Sequence, residues 1–270
     1  MKNNSTENYA IITGGSAGIG LAFAEELAND GYNLVLVSNN REDLDSAEQD
    51  LGSKFNVTVE TLFADLSNAD DLEKVQERIS DNEKPVEILI NSAGFVLRDS
   101  LVHGDLDRQR LALKVMVESV LVLSQTAAKI MRDRGSGTII NIASSSAWFF
   151  NGGYSALKRW VVTYTQALAV ELMDTNVNVI AICPGQTLTD FHANGGIKRP
   201  ENTDWTWSTP QQVARQGLRA ARKGKIVFIP NFRWRMAMWF IRHFQFIAKR
   251  TSRKLIVKRI AEVDAKNRHG

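Results

Sequence analysis

The chain is poor in the residues that cross-link or interrupt a protein fold. Its 270 residues include one cysteine (Cys183), four histidines and five scattered prolines. A single cysteine excludes an intramolecular disulfide framework and gives no cysteine pair for a metal site. We therefore predict no metal and a reducing, cytoplasmic environment. The first eight residues are polar and lack the apolar core of a signal peptide.

Acidic side chains are scarce near the C-terminus. Between residues 222 and 270, Glu262 and Asp264 stand against fourteen lysines and arginines, a net charge of +12. Since the whole chain carries +3, the preceding 221 residues carry −9. This shift in composition indicates that the basic tail differs in role from the acidic body that precedes it.

Short apolar runs alternate with longer helical patterns through most of the chain. Most runs are continuously apolar, which is typical of parallel strands buried on both faces. Predicted strands cover residues 9–13, 33–38, 57–63, 86–91, 138–143, 177–183 and 226–229. Predicted helices cover residues 19–30, 41–52, 69–80, 107–134, 154–174 and 211–222. The alternation predicts right-handed crossovers and a doubly wound α/β sheet.

A glycine-rich turn follows the first predicted strand. Residues 13–20 read Thr-Gly-Gly-Ser-Ala-Gly-Ile-Gly and lead into the first helix. Glycines permit a tight turn and a close backbone approach to a pyrophosphate, which binds at the positive N-terminus of a helix. In a strand–turn–helix context the pattern indicates dinucleotide binding rather than a plain turn.

Tyr154 and Lys158 stand four residues apart in a predicted helix. Residues at i and i+4 lie on one helical face, so a phenol and an ammonium can reach the same small site. A nearby cation favours the phenolate, which predicts a lowered pKa for Tyr154 and a role in proton transfer.

These features together resemble the short-chain dehydrogenase/reductase family over about residues 9–230. Further marks of the resemblance are Asp65-Leu66, Asn91 to Gly94, Ser144, and Pro184-Gly185 followed by Thr189. The resemblance implies a three-layer, doubly wound Rossmann fold with a seven-stranded parallel sheet and a helical C-terminal extension. We accordingly expect a catalytic and dinucleotide-binding domain at 1–230 and a basic, aromatic helical extension at 231–270.

The resemblance also assigns roles to individual residues. Tyr154 is expected to be the general acid in carbonyl reduction, or the base in the reverse direction, with Lys158 lowering its pKa and binding the nicotinamide ribose. Ser144 is expected to polarise the substrate carbonyl, with a one-residue shift to Ser145 as the alternative. Expected cofactor-binding residues are Gly14, Ser16, Gly18, Ile19, Gly20, Ser38, Asn39, Arg41, Asp65, Leu66, Asn91, Ala93, Gly94, Tyr154, Lys158, Pro184, Gly185, Thr187 and Thr189.

Three of these residues have narrower expectations. By resemblance, Asp65 binds the adenine amino group and Thr189 holds the carboxamide. Asn91 has either a binding role or a wholly structural role that holds the central strands together.

The end of the second strand bears on the choice of nicotinamide cofactor. An acidic residue there binds the ribose 2′-hydroxyl of NAD, whereas a nearby cation accepts the 2′-phosphate of NADP. Ser38 occupies the acidic position, Asn39 follows it, and Arg41 is the nearest cation. We therefore favour NADP(H), with NAD(H) as the alternative.

Two departures from the family pattern stand out. Met116 occupies the position where relatives often carry an asparagine that holds a water in the proton relay to the lysine. A thioether cannot replace an amide as donor and acceptor, so we expect slower turnover than in such relatives. The loop from Ser145 to Gly153 looks trimmed, and its residues Trp148 to Phe150 form either an apolar wall for substrate or a hydrophobic plug.

The tail after Pro230 mixes aromatic and basic residues. Arg235, Arg242 and Lys249 recur every seven residues and so share one helical stripe. The 231–250 segment lacks the ~20 consecutive apolar residues that span a bilayer. Three roles remain open: a cover for the substrate pocket, a subunit interface, or a peripheral helix on an anionic membrane. Nucleic-acid binding is not expected.

The sequence thus predicts an NADP(H)-dependent oxidoreductase that acts on a lipophilic ketone, aldehyde or secondary alcohol. Helices 107–134 and 154–174 resemble the family's subunit-contact helices, which implies a homodimer or homotetramer. The alternative is a nucleotide-sensing binding protein with little turnover.

Overall fold

The structure is a computed structural model, and it describes residues 8–188, 207–244, 249 and 252–253. Its sheet contains seven parallel strands in the order β3-β2-β1-β4-β5-β6-β7. The strands are β1 (Tyr9–Thr13), β2 (Asn33–Ser38), β3 (Val59–Phe63), β4 (Val86–Asn91), β5 (Gly137–Ile142), β6 (Val177–Ile182) and β7 (Val227–Phe228). The strand order reverses between β1 and β4, where open α/β sheets bind their ligands.

Helices cover both faces of this sheet. They are α1 (Gly18–Asn29), α2 (Arg41–Lys54), α3 (Ala69–Ile79), α4 (Leu106–Leu113), α5 (Ser119–Arg134), α6 (Gly153–Glu171), α7 (Pro210–Ala221) and α8 (Phe232–His243). One buried cluster joins the sheet to α1, α2 and α7, and a second joins its other face to α3 and α5. The predicted three-layer Rossmann fold with a helical C-terminal region is confirmed.

Local capping explains several helix starts. The side chains of Asn40 and Asn68 accept backbone N–H bonds at the starts of α2 and α3, and Thr209 forms a reciprocal capping box with Gln212 at α7. Such caps satisfy backbone donors that a first helical turn leaves free.

One predicted helix has a more complex form. The 107–134 pattern becomes α4 and α5 joined by a π-helical turn, Lys114–Glu118. An 18-residue window within Leu106–Arg134 has a mean hydropathy of 1.5, so length and composition alone would allow this stretch to cross a membrane. Leu123, Ala127 and Met131 are buried against the sheet, which identifies the stretch as a core helix.

Candidate active site

The glycine turn packs backbone against backbone. Gly14 has a φ of +64°, and a Cβ there would lie 3.1 Å from the backbone of Ala93. A Cβ on Gly20 would overlap the carbonyl of Gly14. The N-terminus of α1 receives no side-chain cap, because Ala17 stands at that position. Uncapped N–H groups behind a close-packed glycine turn fit the pyrophosphate of a dinucleotide.

Thr13 fixes the turn after β4 beside the glycine turn. Its Oγ1 accepts hydrogen bonds from the backbone N–H groups of Ser92 at 3.0 Å and Ala93 at 3.2 Å. Sequence patterns alone assigned no separate role to the Thr13 side chain. A hydroxyl at the last position of β1, directly before the glycines, could have indicated one.

A buried amide network ties the central strands together. The Nδ2 of Asn91 donates to the Oγ of Ser124 at 3.0 Å and to the Oδ1 of Asn141 at 2.8 Å. Asn141 in turn donates to Thr165 of α6 at 3.0 Å. Both N–H groups of Asn91 therefore serve the protein interior, which favours the structural role among the two roles expected for it.

Ser144, Tyr154 and Lys158 meet at the carboxyl end of β5. Ser144 follows β5, and its Oγ accepts from the Ser146 N–H at 3.0 Å. Tyr154 lies in the first turn of α6 and shares a hydrogen bond with Ser144. The Nζ of Lys158 donates to the Ile142 carbonyl at 2.9 Å and lies 5.8 Å from the centre of the Tyr154 ring. This geometry favours Ser144 over Ser145.

The pKa of Tyr154 moves opposite to the expected direction. Burial raises it to about 12, and the hydrogen bond with Ser144 acts in the lowering direction. Burial lowers the pKa of Lys158 to about 8, while the neighbouring Cys183 raises it. The net lowering of the Tyr154 pKa that the sequence predicts is therefore not found in the protein without cofactor, because burial raises this pKa more than the hydrogen bond with Ser144 lowers it.

Met116 and Lys158 both lie close to Gly94. It is fully buried in the π-helical turn and packs with Leu97, Ala112 and Leu157. A Cβ placed on Gly94 would stand 3.2 Å from the Met116 Sδ and 3.8 Å from the Lys158 Nζ. The thioether and the Lys158 ammonium therefore both border Gly94.

Arg41 and Asp65 follow the ends of β2 and β3, where the adenosine of the cofactor is expected. Arg41 begins α2, and its guanidinium lies 4.7 Å from the centre of the Phe63 ring. Since Phe63 pairs with Ser38 across the sheet, this contact holds the cation near the end of β2. The Asp65 Oδ1 accepts the Ser67 N–H at 2.9 Å, which orients the carboxylate after β3.

The chain after β6 contacts both the residue after Ser144 and helix α8. The Ser145 N–H donates to the Pro184 carbonyl at 2.8 Å, and the Thr187 hydroxyl donates to the Gly185 carbonyl at 3.4 Å. A Cβ on Gly185 would lie 2.5 Å from the Nε1 of Trp234 in α8. Thr189, the expected carboxamide ligand, lies outside the described residues.

The aromatic loop after Ser144 has one buried and one exposed aromatic side chain. Trp148 is buried with Met238 of α8, so it acts as a plug between the loop and the tail. Phe150 is 47% exposed, and its backbone N–H donates to the buried Ser252 Oγ at 2.9 Å. The tail therefore contacts the loop at two points.

The described part of the chain contains no candidate metal-binding site. Within those ranges no three His, Cys, Asp or Glu side chains are grouped so as to hold an ion.

Comparison with known proteins gives a consistent result. The family model for short chain dehydrogenases matches residues 8–199. An uncharacterized oxidoreductase of Staphylococcus saprophyticus is 31% identical over 202 residues, which cover 74% of this chain and 83% of that protein. An uncharacterized oxidoreductase of Staphylococcus aureus is 31% identical over 225 residues, covering 82% and 94% respectively.

Two solved structures share the fold at comparable length. A short-chain dehydrogenase from Sphingobium yanoikuyae in complex with NADPH is 26% identical, with a TM-score of 0.78 over 93% of this chain and 95% of that one. A bulky-bulky ketone specific alcohol dehydrogenase from Comamonas testosteroni is 26% identical, with a TM-score of 0.75 over 88% and 93%.

Proposed function

This chain belongs to the short-chain dehydrogenase/reductase family and is an NAD(P)-dependent enzyme acting on CH–OH or C=O groups; from that premise we propose that it reduces a bulky, lipophilic ketone or aldehyde with NADPH. The observation that carries the proposal is the meeting of Ser144, Tyr154 and Lys158 at the carboxyl end of β5, where the phenol shares a hydrogen bond with Ser144. A protonated phenol there can donate its proton to a carbonyl oxygen during reduction, and the phenolate can accept a proton in the reverse oxidation.

The three side chains divide the work as follows. A nicotinamide held in the cleft beside these residues would supply the hydride for the carbonyl carbon. The Ser144 hydroxyl donates a hydrogen bond to the carbonyl oxygen and polarises it. The Tyr154 hydroxyl then gives its proton to that oxygen as negative charge develops there. Lys158 is mostly protonated at neutral pH, since its pKa is about 8, and its positive charge stabilises the phenolate left behind.

Two features support NADPH over NADH. Ser38 brings no negative charge to the end of β2, and Arg41 is held near it by Phe63. The Sphingobium relative is also described with NADPH.

Charge reversal of Arg41 tests the preference for NADPH. We expect Arg41→Glu to weaken NADPH binding at least about tenfold, as loss of a charge-assisted hydrogen bond does, and to leave NADH binding unchanged. The control is Arg132→Glu, an exposed arginine in the last turn of α5.

Substrate class is proposed from the apolar surroundings of the site. Exposed Phe150, partly buried Tyr154 and buried Leu97 lie around the start of α6. The Comamonas relative is named for bulky ketones. Exposed apolar residues support assembly as a homodimer or homotetramer: Leu121 on α5, Val170 on α6 and Met173 just after α6.

A panel of aliphatic, aromatic and polycyclic ketones tests the function. We expect NADPH oxidation with the bulky members, and loss of at least about a hundredfold in kcat for Tyr154→Phe with NADPH affinity retained. NADPH binding without turnover on any carbonyl would instead identify a nucleotide sensor.

A further inference from the structure

Helix α8 has an inner face that is fixed to the catalytic body. Met238 is fully buried, and Trp234 and Ile241 pack against the same cluster. Trp234 fits against Gly185 so closely that no side chain could be added there. Beyond the helix, Ser252 is buried and accepts the Phe150 N–H. The helix is therefore held in one orientation on the loops at the active site.

The opposite side of α8 is apolar and exposed. Residues spaced by i, i+4, i+7 and i+8 share one helical face, and this outer face consists of Phe232, Met236, Trp239 and Phe240. Phe232 is 67% exposed and Trp239 is 53% exposed. The four side chains form a continuous apolar stripe rather than the scattered surface residues that are normal for proteins.

Arginines border the outer face on both sides. Arg233 and Arg235 are exposed. In a helical projection at about 100° per residue, Arg233 lies about 20° beyond Phe240 at one edge of the stripe and Arg235 about 40° beyond Trp239 at the other. The Arg235 guanidinium lies 6.0 Å from the centre of the Phe232 ring and 5.2 Å from that of Phe228. The cations are thus placed at the rim of the apolar surface.

The charge of the tail indicates which kind of partner binds the outer face of α8. The segment 222–270 carries +12, whereas the preceding residues carry −9. An aromatic stripe bordered by arginines complements a surface that is apolar below and anionic above, as the headgroup region of an acidic bilayer is. We propose that the outer face of α8 docks this protein on anionic lipid membranes.

Docking would bring the membrane and the active-site loops into contact with one helix. Trp234 on the inner face contacts Gly185, while Trp239 and Phe240 on the outer face enter the lipid. A lipophilic carbonyl compound dissolved in the bilayer would then be supplied next to the enzyme. This last consequence rests on the proposed function, whereas membrane docking itself does not.

Vesicle co-sedimentation without cofactor or substrate tests the docking. The probes are vesicles of phosphatidylcholine alone and of phosphatidylcholine mixed with phosphatidylserine. We expect binding to the anionic vesicles only, weakened by added salt, because exposed charges are screened. Trp239→Ser/Phe240→Ser should lower the bound fraction at least about tenfold, since burial of each aromatic ring contributes roughly that factor. Arg233→Glu/Arg235→Glu should also abolish binding.

The control is Leu101→Ser/Val102→Ser, which removes an even more exposed apolar pair elsewhere (65% and 80% exposed) and should bind like the wild type. Circular dichroism and turnover of a water-soluble ketone verify that each variant is folded, which separates failed docking from a failed reductase. Absence of binding to anionic vesicles, or equal binding by Trp239→Ser/Phe240→Ser, would overturn the proposal. So would a concentration-dependent dimer that this variant dissociates, because a second copy would then cover the face.

Discussion

The substitution Met116→Asn tests how the proton supply of Lys158 is built. Met116 is fully buried, and its Sδ and the Lys158 Nζ lie 3.2 Å and 3.8 Å from the position that a Cβ on Gly94 would take. An asparagine there gains an amide that can hold a water near the Lys158 Nζ, whose ammonium donates to the Ile142 carbonyl. We expect kcat for ketone reduction to rise about three- to tenfold, which corresponds to roughly 0.7–1.4 kcal/mol in the barrier.

The same change has a cost in stability. Loss of the buried thioether side chain and burial of an amide together cost about 2–4 kcal/mol. In a protein of this size that lowers Tm by about 5–10 °C, so the variant stays folded at 25 °C. The assay is steady-state reduction with saturating NADPH, combined with a thermal melt. Met116→Leu is the control, because it keeps an apolar side chain and should leave kcat unchanged. An unchanged or lower kcat in folded Met116→Asn would refute the relay argument.

Three further predictions concern stability and packing. The folded-state pKa of Lys158 is about 8 and its ordinary value is 10.5, so burying the ammonium destabilises the protein below pH 8, and this destabilisation disappears as the pH rises to 10.5. In denaturant titrations at pH 7, Lys158→Met should therefore be more stable than the wild type by about 1–3 kcal/mol. Equal stabilities at pH 7 would contradict the burial. Trp148→Ala should lower the free energy of unfolding by about 3–5 kcal/mol because the ring is buried in a core cluster. Phe150→Ala should leave stability nearly unchanged and raise KM for bulky ketones. A stability loss in Phe150→Ala together with a raised KM in Trp148→Ala would mean that Phe150 is the plug and Trp148 the wall. Gly185→Ala should displace Trp234 and speed proteolysis within α8, and Gly185→Ala/Trp234→Leu should restore resistance if that contact is the cause.

The elements that local sequence patterns specify were predictable. Continuous apolar runs located the strands, and β1, β2 and β4 have the predicted bounds. The glycine turn was predictable as well, because overlap at Gly20 and positive φ at Gly14 leave no alternative residue type. The Tyr154–Lys158 spacing placed both side chains on one face of α6.

Features that depend on long-range packing could not be read in the same way. The π-helical turn at Lys114–Glu118 inserts one residue into an otherwise regular apolar pattern, so periodicity alone gives a single helix. The pKa direction of Tyr154 depends on how much of the phenol is buried, which i, i+4 spacing does not determine. The roles of Trp148 and Phe150 were ambiguous because they depend on Met238 and Ser252, about a hundred residues away.

The central claim is that Tyr154 protonates a carbonyl oxygen while NADPH supplies the hydride. The most direct measurement uses NADPH carrying deuterium at the transferred position, with product alcohol analysed by mass spectrometry. The account predicts one deuterium on the carbinol carbon with the wild-type enzyme and at least about a hundredfold slower formation with Tyr154→Phe. Deuterated alcohol formed at the wild-type rate by Tyr154→Phe would contradict it.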